Sequence, residues 1–137
     1  MERAAVTVLG VGLHSGAGLA SLRDALRAAC AALPARPVLR AVATAQDKLD
    51  CAALAQFAAE LRVPLIGVPL PLLAVQPATP SAFAPARYGG RSLAEAAALA
   101  AAGPGARLLA PRAVSTDRQA TAALAAALPY PIDPSEP

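Results

Sequence analysis

The chain has 137 residues, a length that fits one domain. Hydrophobic residues make up 56% of it and charged residues 15%, which supplies ample material for a core, whereas aromatic residues at 3% leave little for stacking on single-stranded nucleic acid. The net charge of +3 comes from scattered basic residues, so the sequence predicts no nucleic-acid surface and no membrane surface, only a bias towards anionic small molecules.

Few residues could ligate a metal ion. Cys30 and Cys51 form no closely spaced pair, and the single histidine cannot complete a zinc site with them. We predict no metal and no cofactor, with Cys30 packed on the first helix. No apolar stretch approaches the roughly 18 to 20 residues that cross a membrane. Met1–Arg3 lacks the positive charge of a signal peptide, so we expect a soluble cytoplasmic protein.

The first predicted unit is a strand, a glycine turn and a helix. Val6–Val11 is a short apolar run that is typical of a buried strand. Glycines then punctuate a predicted turn, at Gly10, Gly12, Gly16 and Gly18. After the turn, apolar residues recur at helical spacing, at Leu19, Leu22, Leu26, Ala29 and Leu33. A helix that begins directly after a strand presents unpaired N–H groups, which favour an anion.

This turn allows more than one interpretation. Its glycine spacing approximates a dinucleotide fingerprint, but the acidic residue expected after the second strand is missing from Thr44–Gln46, so we expect no tight nicotinamide or flavin binding. The turn is either a plain tight turn or a site for an anion or polar ligand, formed by Gly12, His14, Ser15 and Gly16. His14 itself is either a solvated loop residue or a general acid–base group.

Two further strands and a helix follow. Val38–Thr44 and Pro64–Val68 are predicted strands, and Asp50 is predicted to cap the helix between them. The order βαβαβ predicts three adjacent parallel strands with helices outside the sheet. Lys48 follows the second strand, at the sheet edge where open α/β sheets bind ligands, although it could equally be a plain surface lysine.

The proline-rich segment Pro69–Arg91 interrupts this alternation. A short helical turn is predicted at Leu70–Ala74 and a loop over the rest, either a functional loop or a surface excursion. Ser92–Glu95 has the pattern of a capping box, in which the serine caps an early N–H and the glutamate reaches back to the serine N–H. Gly103 and Pro104 should end that helix.

The C-terminal part is harder to interpret. Arg107–Leu109 is a predicted strand, whereas Ala120–Leu128 is ambiguous because alanine and leucine favour helix. Residues 129–137 carry four prolines and are predicted to be a disordered, proline-rich tail.

An ordered series of short segments resembles the CobE family, which is also found as the C-terminal domain of CbiG, of cobalamin biosynthesis. The block Gly90–Leu99 is the most specific of them. The others are Gly10–Gly12, Thr44–Asp50, Val63–Leu65, Ser81 and Thr121–Ala122. The resemblance extends from about Val6 to Leu128, so we expect one domain over residues 4–128.

The resemblance implies a three-layer α/β/α single domain with a largely parallel sheet. It also implies that Ala120–Leu124 is a strand despite its helical propensity, and that the protein acts in corrin-ring synthesis. In fused relatives the neighbouring domain resembles a lactone-opening hydrolase; the chain is too short to hold that domain, which indicates the stand-alone form.

Together these observations predict one cleft at the carboxyl edge of the sheet that binds a polycarboxylate precorrin or corrinoid intermediate. The predicted ligand-binding residues are Gly12, His14, Ser15, Gly16, Lys48, Asp50, Ser81, Arg87, Gly90, Ser92 and Glu95. Two alternatives stay open. The protein could be an enzyme acting on a precorrin through His14, Asp47 or Glu95, or a ligand-free partner of another cobalamin-biosynthesis enzyme.

Overall fold

The computed structural model describes residues 6–14, 16–77 and 92–127. The predicted site residues Ser15, Ser81, Arg87 and Gly90 lie outside the described residues, as does the predicted C-terminal tail.

A six-stranded sheet forms the middle layer of the described fold. Its strands are β1 (Val6–Leu13), β2 (Leu39–Ala45), β3 (Leu65–Val68), β4 (Arg107–Leu108), β5 (Ala113–Val114) and β6 (Ala120–Ala127). The order is β3-β2-β1-β6-β4, with β5 also paired to β6. The pairs β1–β2 and β2–β3 are parallel, while β6 runs antiparallel to β1, β4 and β5. The predicted adjacency of three parallel strands is therefore confirmed, and β6 alone points the other way.

Helices cover both faces of the sheet. They are α1 (Leu19–Ala31), α2 (Ala52–Leu61), α3 (Leu70–Ala74) and α4 (Leu93–Ala102), and a 3₁₀ turn spans Gln46–Lys48. On one face α1 and α2 pack on β1, β2 and β6, in a core that includes Leu22, Phe57 and Leu124. On the other face α3 and α4 pack on the sheet through Leu73 and Ala97. The three-layer α/β/α architecture is the one that the family resemblance implied.

Strand β6 forms although its sequence is rich in alanine. Its eight residues pair with β1 along their full length and with β4 and β5 on the other side. Residues Ala122–Ala125 are fully or almost fully buried, because α1 covers one face of the strand and α4 the other. The small side chains let both helices approach, and this burial outweighs a helical preference worth only tenths of a kcal/mol per residue.

The predicted glycine turn is wrong for two of its glycines. Gly10 and Gly12 lie inside β1, and the turn begins only at His14. A Cβ on Gly10 would overlap the carbonyl oxygen of Ala94 and come within 2.6 Å of the Ala98 nitrogen. Gly10 is therefore required for the close packing of α4 on β1. Only Gly16, with φ of 89°, uses the left-handed conformation that favours glycine in this turn.

Two predicted helix starts have different outcomes. Asp50 does not cap α2: the N-cap residue is Cys51, and its side chain makes no capping hydrogen bond. Ser92 does cap α4, since its Oγ accepts the N–H of Glu95 at 3.3 Å. Gly103, with φ of 100°, follows the last residue of α4, as predicted.

Candidate functional site

The carboxyl edge of the sheet gathers the loops that follow β1, β2 and β3. These strands are parallel neighbours, so the chain leaves each of them on the same side, after Leu13, Ala45 and Val68. Because β6 is antiparallel, the turn between β5 and β6 reaches this edge as well. The backbone N–H of His14 donates to the carbonyl oxygen of Gln119 at 2.8 Å, which joins the first loop to that turn.

Four of the described helices begin at this edge, and among them only α4 has a side-chain cap; the short α3 begins after Pro69, which makes no capping hydrogen bond. The N-cap residues of α1 and α2 are Gly18 and Cys51, and neither makes a capping hydrogen bond through a side chain. Helix α4 begins beside the end of β1, where the Leu93 side chain would lie 3.5 Å from a Cβ on Gly12. The positive ends of the α1 and α2 dipoles thus face this edge, and no side chain of the N-cap residues accepts their first N–H groups.

The predicted ligand-binding residues that the structure describes lie at this edge, but they differ in solvent exposure. His14 and Gly16 are exposed in the turn after β1, and Asp50 is exposed after β2. Lys48 is half-buried at the end of the 3₁₀ turn. Gly12 and Ser92 are buried. We assign Gly12 to the packing of β1 beside α4, and Ser92 to the capping of α4.

Glu95 is a fully buried carboxylate in the first turn of α4. Its Oε2 accepts the backbone N–H of Arg112 at 3.0 Å, a contact that the capping-box pattern does not predict. This hydrogen bond holds the chain between β4 and β5 against the start of α4. Since a buried charge is costly unless it is hydrogen-bonded, Glu95 belongs to the framework that shapes the edge.

A buried threonine occupies the place where a dinucleotide-binding protein would carry its ribose-binding acid. The Thr44 Oγ1 donates to the carbonyl oxygen of Val11 at 2.9 Å, so it ties the end of β2 to β1. On the other side of β1, Thr121 Oγ1 donates to the Gly12 carbonyl oxygen at 3.5 Å. These contacts fix the strand ends from which the loops of the site depart.

The β5–β6 turn is the part of this edge that sequence reasoning missed. Asp117 accepts hydrogen bonds from the hydroxyls of Ser21 and Ser115, both at 2.5 Å, and from the Gln119 N–H at 3.0 Å. The bonds from Ser115 and Ser21 lower the pKa of Asp117 below its ordinary value. No local pattern could show this link, because Ser21 and Asp117 lie 96 positions apart.

A second carboxylate strengthens the same link between α1 and the turn. Asp24 Oδ2 accepts the Thr116 N–H at 2.5 Å, and this bond is the main cause that lowers the pKa of Asp24. The first turns of α1 are thereby held to the β5–β6 turn, which fixes the position of its N-terminus at the edge.

The described ranges contain neither a cluster of metal ligands nor a membrane-spanning helix. Within residues 6–14, 16–77 and 92–127, no group of three or more His, Cys, Asp or Glu side chains is placed to hold a metal ion. No helix in the same ranges is both long and apolar enough to cross a membrane.

Fold and edge geometry define the chain as a three-layer α/β/α domain, in which the loops after three parallel strands and the start of α4 meet at one edge of the sheet. Residues 7–125 match the family described as Cobalamin synthesis G C-terminus. The chain belongs to this family and is a cobalamin biosynthesis protein of the CobE/CbiG type.

Solved structures agree with this assignment. CobE, a protein from the cobalamin (vitamin B12) biosynthetic pathway, is 32% identical with a TM-score of 0.76, over 90% of this chain and 92% of CobE. The cobalamin biosynthesis protein chiG from Agrobacterium tumefaciens strain C58 is 38% identical with a TM-score of 0.63, over 88% of this chain and 97% of chiG.

A more distant structure shares the fold. A protein from Sulfolobus solfataricus, described as a homologue of cobalamin biosynthesis protein G, is 20% identical with a TM-score of 0.66, and the match covers 89% of this chain but 37% of that one. No curated protein sequence matches the chain.

Proposed function

We propose that the carboxyl edge binds a polycarboxylate precorrin or corrinoid intermediate, and that the protein assists the cobalamin pathway by holding it. The observation that carries this proposal is the pair of helix N-termini, on α1 and α2, that lack side-chain caps and flank the loop with Lys48. Backbone N–H groups at such ends suit carboxylates, and a cobalamin biosynthesis protein works among polycarboxylate macrocycles.

The edge suits binding better than acid–base catalysis. His14 is exposed, whereas Glu95 is buried and accepts the Arg112 N–H, so the two side chains do not share an enclosed site. An open edge with Lys48 and two helix N-termini that lack side-chain caps instead suits a large, flat ligand whose carboxylates lie at its rim. Lys48 would contact one of these carboxylates, and the first N–H groups of α1 and α2 would contact others.

Substitution of Lys48 tests the proposal. Lys48→Ala should weaken the binding of a hydrogenobyrinic-acid-type ligand, measured by titration calorimetry, without changing the thermal unfolding of the protein. Raising the salt concentration should weaken binding by the wild-type protein, since exposed charges are screened over about 10 Å at 0.1 M ionic strength. The matched control is Arg107→Ala, because Arg107 is an exposed cation at the first residue of β4, on the opposite edge of the sheet.

Equal affinities of the three proteins at both salt concentrations would contradict the proposal. The same samples distinguish the enzymatic alternative: the absorption spectrum and chromatographic identity of the ligand should stay unchanged after incubation. Conversion of the ligand to a new species would instead support an enzyme acting on a precorrin.

A further inference from the structure

A cavity of about 260 Å³ opens between α1 and α2, away from the carboxyl edge. Its apolar wall consists of Leu26 on α1 and of Phe57 and Leu61 on α2. Cys30 lies twelve residues after Gly18, which places it about 18 Å along α1 from the end that faces the carboxyl edge. The volume lies just below the range of about 300–1,000 Å³ that is typical of small-molecule sites, so it fits a ligand of a few heavy atoms.

Three guanidinium groups surround this cavity, against one carboxylate. Arg23, Arg27 and Arg36 line it together with Glu60. Arg23 donates from Nε at 2.9 Å and from Nη2 at 2.5 Å to the two carboxylate oxygens of Glu60, which satisfies that pair. The other two arginines leave the cavity with an excess of positive charge.

These two arginines differ in how they are paired. Arg27 contacts Asp24 through Nη1 alone, at 3.1 Å, and its side chain is 75% exposed. Arg36 follows α1, and within the described part of the chain it makes no hydrogen bond and no ion pair. Guanidinium groups with free donors bind carboxylates in a two-pronged geometry.

We infer that this cavity is a second anion site, which takes a small organic acid. The carboxylate of the ligand lies between Arg27 and Arg36, and its alkyl chain lies on Leu26, Phe57 and Leu61. The Arg23–Glu60 ion pair bounds the site, and Glu60 disfavours an anion there because it has the same charge. The site is independent of the carboxyl edge and does not rest on the function proposed for that edge.

The cysteines supply a test within one chain. Both are free thiols; Cys30 lines the cavity, whereas Cys51 precedes α2 at the opposite end of that helix. Hexanoate in the cavity should slow the alkylation of Cys30 by iodoacetamide, measured by peptide mass spectrometry. Cys51 is the N-cap of α2, so its alkylation in the same sample reports separately on binding at the carboxyl edge. Hexylammonium and inorganic sulfate should not protect Cys30, since the first lacks the negative charge and the second lacks the alkyl chain.

Two substitutions should change this protection in opposite directions. Arg36→Gln should weaken hexanoate binding and so raise its half-maximal protecting concentration by about two- to fivefold, the range expected for an exposed charge pair. Glu60→Gln should lower this concentration, because the substitution removes the competing carboxylate. Arg107 lies outside the cavity, so Arg107→Gln should leave the concentration unchanged. Protection is compared with and without hexanoate inside each variant, because burial raises the pKa of the Cys30 thiol and the charge of Arg36 partly opposes that rise.

Three outcomes would overturn the inference. One is the absence of saturable protection of Cys30 by hexanoate. Another is equal protection by sulfate or hexylammonium. The third is wild-type protection in Arg36→Gln combined with a lower melting temperature, which would assign Arg36 to the negatively polarised C-terminus of α1. Circular dichroism on each variant confirms that the fold is kept.

Discussion

Single residues fix the spacing between layers, and Gly10 is the clearest case. A Cβ at this position would overlap the backbone of α4, which is rigid and cannot move aside as a flexible side chain can. Gly10→Ala should therefore lower the free energy of unfolding by about 1–3 kcal/mol, the usual cost of overpacking. Urea denaturation monitored by circular dichroism measures this loss.

Gly18→Ala is the matched control for Gly10. A Cβ on Gly18 would meet no atom within 4 Å, and its φ of −113° is open to any residue. A change at Gly18 should therefore cost little beyond the modest preference of N-caps for glycine over alanine. Similar losses for the two variants would show that α4 can shift away from β1.

Asp117 should make stability depend on pH in the acid range. Its pKa is lowered in the folded state by the hydroxyls of Ser115 and Ser21, relative to an ordinary value of 3.8. The carboxylate therefore contributes stability that is complete above the unfolded pKa and is lost as pH falls through the lower, folded pKa. Asp117→Asn should flatten the dependence of the melting temperature on pH below about pH 4.

Asp50→Asn serves as the comparison for this prediction, because Asp50 is exposed and makes no hydrogen bond among the described residues. Its acid unfolding curve should follow that of the wild type. A curve for Asp117→Asn that also coincides with the wild type would mean that the β5–β6 turn does not hold α1 in solution.

At the scale of elements, the start of α4 connects the fold with the site. Ser92 caps this helix, and Glu95 holds the segment between β4 and β5 beside it. Ser92→Ala should cost about 0.5–2 kcal/mol of stability through loss of the cap. Ser92→Thr keeps the hydroxyl and should retain most of that stability. Differential scanning calorimetry of both variants measures the difference.

The same pair of variants separates capping from ligand contact. If Ser92→Ala abolishes the binding of the corrinoid ligand while the melting temperature is unchanged, Ser92 contacts the ligand directly. The structure instead leads us to expect a change in stability, because the buried Ser92 Oγ accepts the Glu95 N–H.

For the whole molecule, the sheet order predicts a gradient of local stability from its centre to its edge. Strands β1 and β6 lie between neighbours and have helices on both faces, whereas β4 and β5 have two residues each. Backbone amides of β1 should exchange hydrogen only through near-global unfolding, while the Leu109 amide, bonded to the Leu124 carbonyl, should exchange faster through local opening. Equal exchange free energies at both places, measured by NMR, would contradict this gradient.

Local patterns were sufficient for much of this architecture. Apolar spacing and the alternation of strands with helices predicted β1–β3, α1 and the parallel order, because each signal lies within a few neighbouring residues. The short helix Leu70–Ala74 and the Ser92 cap were predicted for the same reason. The positions of His14 and Lys48 at one edge followed from the parallel order, since both come directly after neighbouring strands.

The sequence by itself therefore determined the order of elements from β1 to β4 and the edge at which the loops meet, whereas tertiary structure decided β5, β6 and how that edge is held. Alanine-rich β6 is a strand because it is buried between two sheet neighbours and two helices, a context that no local propensity contains. The roles of Gly10, Glu95 and Asp117 depend on partners far away in the chain, on α4, between β4 and β5, and on α1. Side-chain contacts of this kind form only after the layers have packed, which is why sequence patterns placed Gly10 in a turn and left Asp117 unnoticed.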